Sequence, residues 1–270
     1  MFASGPDRGP PVALRGWLSD VYFPALLDKE SPSQALEALA GRLGAKATVD
    51  DPLQGRAAGI PAIPDLLGKT AAWLRSHAAA YERVAFTTGI DRDVTEGTLA
   101  LTFENKTLDL PVAVVAERRR SREVELRIYY ATQSIPDAEG GKRPRAPLVQ
   151  PSVDPAPPAP VDGLLTALAQ GDAKGATATF ETDGGVRDAR GMQHAKNGGA
   201  LQSLLEGWLA GNAGLELRVG GAADDGRTCA LEYNLVRIRG REVPARAGLM
   251  ILERGDSALL RAVRLYSEFE

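Results

Sequence analysis

The sequence holds one cysteine, Cys229, and two histidines, His77 and His194, among 270 residues. A lone thiol has nothing to pair with inside the chain, so no internal disulfide forms and no cysteine-based metal site can be assembled. The histidines lie in opposite halves, so a metal centre would have to rest on carboxylates alone; no metal and no cofactor is expected. Charge of one sign is missing too, since 32 basic and 35 acidic residues give a net charge of −3. Nucleic acid and anionic membranes both select a clustered positive surface, and neither is expected as a partner. The one basic run, Glu117-Arg118-Arg119-Arg120 followed by Arg122, is answered by Glu123 and Glu125 and reads as a solvated hairpin tip. No stretch approaches the ~18 apolar residues that span a bilayer. Met1 to Arg8 show no basic start leading into an apolar stretch, so no secretory signal is read there and a cytoplasmic protein is the expectation. A Gly-x-Ser-x-Gly elbow is also lacking, which leaves a serine hydrolase unsupported. Gly184-Gly185 and Gly220-Gly221 read as turns, because neither sits in the strand-to-helix frame of a phosphate loop.

What is present is ordinary globular material, 44% apolar and 25% charged. At about 150 residues per domain the length suggests two domains. Eight prolines fall between Pro136 and Pro160. Proline cannot donate to a helix or a sheet ladder, so this stretch reads as a semi-rigid linker between a first domain, 1–135, and a second, 161–270.

The halves read as diverged copies. Ala47-Thr48-Val49-Asp50 parallels Ala178-Thr179-Phe180-Glu181, and Gly59 parallels Gly191, each ahead of a helix carrying Trp73 or Trp208. Thr98-Leu99-Ala100-Leu101 parallels Thr228-Cys229-Ala230-Leu231. Glu117-Arg118, then Arg127 and Tyr129, parallel Glu253-Arg254, then Arg264 and Tyr266. The recurring Arg127/Arg264 and Tyr129/Tyr266 should occupy equivalent last-strand positions with a structural role.

Apolar spacing predicts helices over 12–27, over 31–43 with a stop at Gly44, and over 63–81. A short strand covers 46–51. Four longer strands fit 84–92, 95–104, 107–118 and 123–133, the last with Val124, Leu126, Ile128 and Tyr130 on one face. In the second half, helices fit 162–170 and 194–210, and strands fit 214–223, 228–239, 242–253 and 258–269. Helices followed by hairpin strands imply an α+β fold: two cone-shaped domains, each a curved antiparallel sheet covered by N-terminal helices. Such a sheet encloses a concave, mostly apolar pocket.

Ala47-Thr48-Val49-Asp50-Asp51-Pro52, followed by Gly55, Gly59 and a helix, resembles the first strand of ketosteroid isomerases and SnoaL-like cyclases of the nuclear transport factor 2-like superfamily. Tyr22-Phe23-Pro24 is similar to the first-helix segment that supplies the isomerase's oxyanion-hole tyrosine. The resemblance implies that Asp51 is a general base and Tyr22 an electrophilic donor. Strand alternation independently puts Ala47, Val49 and Asp51 on the pocket face and Asp50 outside. Two departures stand out: Ala113 lies where that family has a second acidic donor, and Thr182 falls where the second half should match Asp51. Asp51-Pro52 is equally a turn whose carboxylate binds backbone N–H groups just downstream.

Two function classes follow. One is an enzyme that isomerises or cyclises a small apolar carbonyl compound with Asp51 and Tyr22 and no cofactor. The other is a non-catalytic module that binds a small ligand or a protein partner. A homodimer and an interdomain pseudo-dimer both remain open.

Overall fold

The computed structural model describes residues 17–104, 106–119, 123–136, 146–149, 156–194, 198–209 and 213–267. The first half begins with helices α1 (Leu18–Leu26) and α2 (Pro32–Leu43), then β1 (Thr48–Asp51), β2 (Gly55–Ala58) and helix α3 (Ala62–Ser76). Long strands β3 (Ala80–Thr88), β4 (Arg92–Phe103), β5 (Lys106–Arg118) and β6 (Val124–Tyr129) complete it. The second half runs α4 (Ala159–Gln170), α5 (Ala173–Ala178), β7 (Phe180–Arg187), β8 (Gln193–His194), α6 (Gly198–Leu209), β9 (Glu216–Asp224), β10 (Thr228–Ile238), β11 (Arg241–Arg254) and β12 (Leu260–Leu265). The sheet orders are β2-β1-β6-β5-β4-β3 and β8-β7-β12-β11-β10-β9, the same arrangement twice.

Local chemistry sets several boundaries. Pro32 opens α2, where its missing N–H is no loss, and Gly44 at φ +86° closes it. Asp172 caps α5 by accepting from Gly175 N at 2.8 Å, a short helix that the sequence pattern did not reveal. Helix α3 stops at Ser76 rather than Tyr81, because Ala80 to Thr88 are claimed by pairing with β4. Cross-strand partners there outweigh the helix preference of the alanine run. His194 lies in strand β8 opposite Val186 and does not open a helix. Gly184-Gly185 and Gly220-Gly221 lie within β7 and β9 and are not turns. Each sheet also carries one parallel pairing, β1 with β6 and β7 with β12, in place of the all-antiparallel ladder expected.

Alternation along the strands divides each sheet into two faces. Leu110, Val112, Val114 and Ala116 of β5 and Leu126, Ile128 and Tyr130 of the last strand turn inward, onto Tyr22, Phe23, Leu39 and Leu67 of the helices. The second half repeats this with Cys229, Leu231, Tyr233 and Leu252 beneath α4 and α6. The opposite faces meet each other. Val94, Ala113, Val115 and Tyr129 pack with Ala223, Leu249, Ile251 and Tyr266 in a third buried cluster that joins the halves sheet to sheet. The interdomain pseudo-dimer is therefore a property of the single chain. Parts of the expected linker, 137–145 and 150–155, lie outside the described residues, as do 12–16 of the first expected helix.

Candidate functional site

Tyr22 and Asp51 both lie inside the first half. Tyr22 is 0% exposed on α1, and Asp51 is 2% exposed at the end of β1. Asp50 points to the other face and lines a cleft between the halves, as strand alternation requires. Among the described residues the Tyr22 hydroxyl has no hydrogen-bond partner. Its pKa is raised well above 10, first by burial and then by the negative charge of Asp51. Thr70 lies close enough to soften that rise, but the Thr70 hydroxyl donates to Leu66 O at 3.0 Å. Val49, Leu67, Val112, Val114, Leu126 and Ile128, in the same buried cluster, are all 0% exposed.

The Asp51 carboxylate is engaged locally. Its Oδ1 accepts from Leu53 N and Gln54 N at 2.9 Å each, and from the Tyr130 hydroxyl at 3.1 Å. Two backbone N–H groups just downstream make an Asx-type turn, which delivers the chain into β2 through Gly55 at φ +83°. The second half contains the same device. Asp50 pairs with Arg127 across β1 and β6, and Arg187 pairs with Arg264 across β7 and β12, so the counterpart of Asp51 is Asp188. The Asp188 Oδ1 accepts from Arg190 N (3.0 Å) and Met192 N (2.9 Å), and Gly191 follows at φ +80°. The assignment of Thr182 to this position is thus corrected, and so is the pairing of Ala47–Asp50 with Ala178–Glu181. Thr98 likewise matches Asn234 rather than Thr228, since Glu117 and Glu253 fix Arg92 against Thr228. Both errors slide a strand by six residues, an even step that keeps every side chain on its face.

The most concentrated polar chemistry lies between the halves. Arg127, 3% exposed, grips Glu232 of the other half with Nε and Nη2 at 2.6 Å each, and the Tyr129 hydroxyl donates to Glu232 Oε1 at 2.6 Å. The symmetric set is Arg264 Nε and Nη2 on Glu96 at 2.6 and 2.9 Å, with the Tyr266 hydroxyl at 2.7 Å. Planar two-point pairs of this kind are among the stronger hydrogen bonds in proteins. Arg127 and Arg264, with Tyr129 and Tyr266, do occupy equivalent last-strand positions. Their partners Glu96 and Glu232 escaped the sequence reading, although Glu232 interrupts an apolar run of β10.

Around Arg127 the network extends into a cleft of about 450 Å³. Arg92 reaches Glu117 at 3.0 Å and Glu232 at 3.3 Å, and Arg127 reaches Glu117 at 2.7 Å and Glu125 at 3.1 Å. Arg119 and Arg56 close on Glu125 from the mouth. Glu117 and Arg119 are therefore members of this network rather than parts of a free hairpin tip. Burial alone would raise the Glu232 carboxyl, but Arg127 and Arg92 override it and hold its pKa at about 2. Glu117 is also held below its ordinary value by Arg92 and Arg127, against its own burial. The Arg92 guanidinium lies over Gly221, where an added Cβ would sit 1.5 Å from Nη1. The segment 146–149 forms one wall of the cleft. No three His, Cys, Asp or Glu residues among those described are grouped to hold a metal, and no described helix is long and apolar enough to cross a membrane.

No family model and no curated protein matches the chain. Solved structures of the nuclear transport factor 2-like and ketosteroid isomerase-like kind do. An NTF2-like protein of unknown function from Cytophaga hutchinsonii is 13% identical over 40% of this chain and 87% of its own, with a TM-score of 0.33. A protein with a ketosteroid isomerase-like fold from Catenulispora acidiphila, in complex with trimethylamine, is 16% identical over 42% and 88%, with a TM-score of 0.33. An LEH-like epoxide hydrolase of M. tuberculosis is 20% identical over 40% and 80%, with a TM-score of 0.35. At these identities and scores these structures carry no argument about activity.

Proposed function

We propose that the chain is a non-catalytic binding module, built by tandem duplication of one cone-shaped domain. In this reading, 1–135 and 161–270 are the two copies, 136–160 is their Pro-rich connection, and the paired sheets hold them as one body. The observation that carries the reading is the recurrence of the Asp51 turn at Asp188. A carboxylate that accepts two backbone N–H groups from the turn after it in both copies, two and three residues on at Asp51 and two and four on at Asp188, serves the entry into the short edge strand. The three Asp51 bonds all fall on Oδ1 and come from its own turn and from Tyr130, which a structural role accounts for. The depth at which Tyr22 and Asp51 are buried supports the same conclusion.

The test is a turnover assay with a small β,γ-unsaturated ketone, following ultraviolet absorbance of the conjugated product. The module reading expects no rate above buffer for the wild-type chain. Turnover that disappears in Asp51→Asn would overturn it, because that substitution keeps the shape and typically removes on the order of 10²–10⁴-fold of a base's contribution.

One observation favours a second reading. The Tyr22 hydroxyl is buried without a partner, and an unpaired buried donor is usually explained by water, ligand or chemistry. In that reading the first half opens to admit a small apolar carbonyl compound that accepts from Tyr22 and exchanges a proton with Asp51. Saturable binding of the ketone, abolished by Tyr22→Phe, distinguishes it from the module reading.

A further inference from the structure

The cleft wall formed by Ala146 to Val149 is a peptide segment held by a side chain that reads backbone. Leu148 N donates to Asn234 Oδ1 at 2.8 Å, and Asn234 Nδ2 donates to Leu148 O at 2.9 Å. One amide group thus satisfies the N–H and the C=O of a single residue, the pattern a neighbouring strand would supply. Asn234 is 3% exposed on the outer face of β10, beside Glu232 and the charged cleft. The Leu148 side chain rests on Gly220 of β9, where an added Cβ would fall 2.7 Å from Leu148 Cδ1. The strand glycine is therefore a seat for this leucine.

We propose that this outer-face seat is a peptide-binding site, specific for a segment that presents a leucine, which the chain fills with its own residues 146–149. Asn234 binds any extended backbone and so provides affinity without sequence. The Gly220 depression admits an aliphatic side chain and provides selectivity. The occupant in cis enjoys the high effective concentration of a tethered ligand, and a partner protein carrying the same pattern competes by displacing it. Displacement opens one wall of the charged cleft, which couples peptide binding to access at Arg92 and Arg127. The inference stands on the cleft and the strap alone and is independent of whether the first half turns over a ketone.

The experiment uses the full-length chain with residues 146–149 replaced by Gly-Ser-Gly-Ser, checked for native circular dichroism. The probe is a capped peptide spanning residues 144–151, titrated to roughly millimolar concentration and followed by nuclear magnetic resonance of the Gly220 and Gly221 backbone amides, which every variant keeps. The proposal expects saturable shifts in the strap-replaced chain and binding at least about tenfold weaker in the intact chain, where the seat is filled. It also expects a loss of about tenfold or more when Asn234→Ala is added to the strap-replaced chain, or when the peptide carries Leu148→Asp. Three results overturn it. They are no saturable shift in the folded strap-replaced chain, equal binding to the intact chain, or binding that Asn234→Ala leaves unchanged.

Discussion

Replacing Glu232 by Gln removes one negative charge from between the halves while keeping the shape of the side chain. The carboxylate is 1% exposed, takes two bonds of 2.6 Å from Arg127 and a third from the Tyr129 hydroxyl, and faces Arg92 at 3.3 Å. Its pKa is held at about 2 against an ordinary 4.5. At about 1.4 kcal/mol per tenfold change in proton affinity, that is worth roughly 3 kcal/mol of folding free energy. Removing one partner of a buried pair typically costs about 3–5 kcal/mol. The lower end applies here, because Arg127 keeps Glu117 and Glu125. The sign follows from the direction of the shift. The folded pKa is depressed, so the stabilisation is complete above about 4.5 and is lost as pH falls through about 2. Urea denaturation of both chains at a series of pH values should show the wild type ahead by roughly 3 kcal/mol at pH 7. The gap should close between about pH 5 and pH 2. A gap that is absent at pH 7, or that stays constant through the acid range, would refute the electrostatic account.

Three further outcomes are expected. Gly221→Ala should destabilise by about 1–3 kcal/mol in urea melts, because its Cβ collides with the buried Arg92 guanidinium; an unchanged midpoint contradicts the close approach. Tyr129→Phe and Tyr266→Phe should each cost about 1 kcal/mol in the same measurement, since both hydroxyls donate to a buried carboxylate across the halves; a large cost for one and none for the other contradicts the symmetry of the interface. Tyr22→Phe should leave stability unchanged or raise it slightly, because it removes a buried hydroxyl that has no partner; a loss above about 1 kcal/mol means the hydroxyl is bonded in solution.

Much of the fold was legible because strand alternation is a strong local signal. Val124, Leu126, Ile128 and Tyr130 turn to one face as their spacing implies, and Ala47, Val49 and Asp51 turn inward while Asp50 turns out. The repeat was legible as an order of landmarks, yet two of its alignments were six residues off, and Gly191 stands after Asp188 as Gly55 stands after Asp51 and is not the match of Gly59. Short strand motifs such as Thr98–Leu101 look alike after any even slip, and only the hydrogen-bonded register separates Asp188 from Thr182 as the partner of Asp51. The recurring arginine and tyrosine of the last strands pointed to a structural role. Their partners Glu96 and Glu232 lie about a hundred residues or more away, where no local pattern reaches. Gly220-Gly221 was read as a turn because paired glycines usually make one. Here they stay in a strand and give up their side chains to Leu148 and Arg92.

The central claim is that Asp51 does for the first half what Asp188 does for the second. Its most direct measurement is the pair Asp51→Asn and Asp188→Asn, each compared with the wild-type chain by urea denaturation at pH 7. The account predicts a loss of about 1 kcal/mol for Asp188→Asn and a somewhat larger one for Asp51→Asn, because Asp51 is buried and also accepts from the Tyr130 hydroxyl. A catalytic carboxylate, kept for chemistry at some expense of stability, behaves differently when removed. Asp51→Asn that stabilises the chain while Asp188→Asn destabilises it would contradict the account.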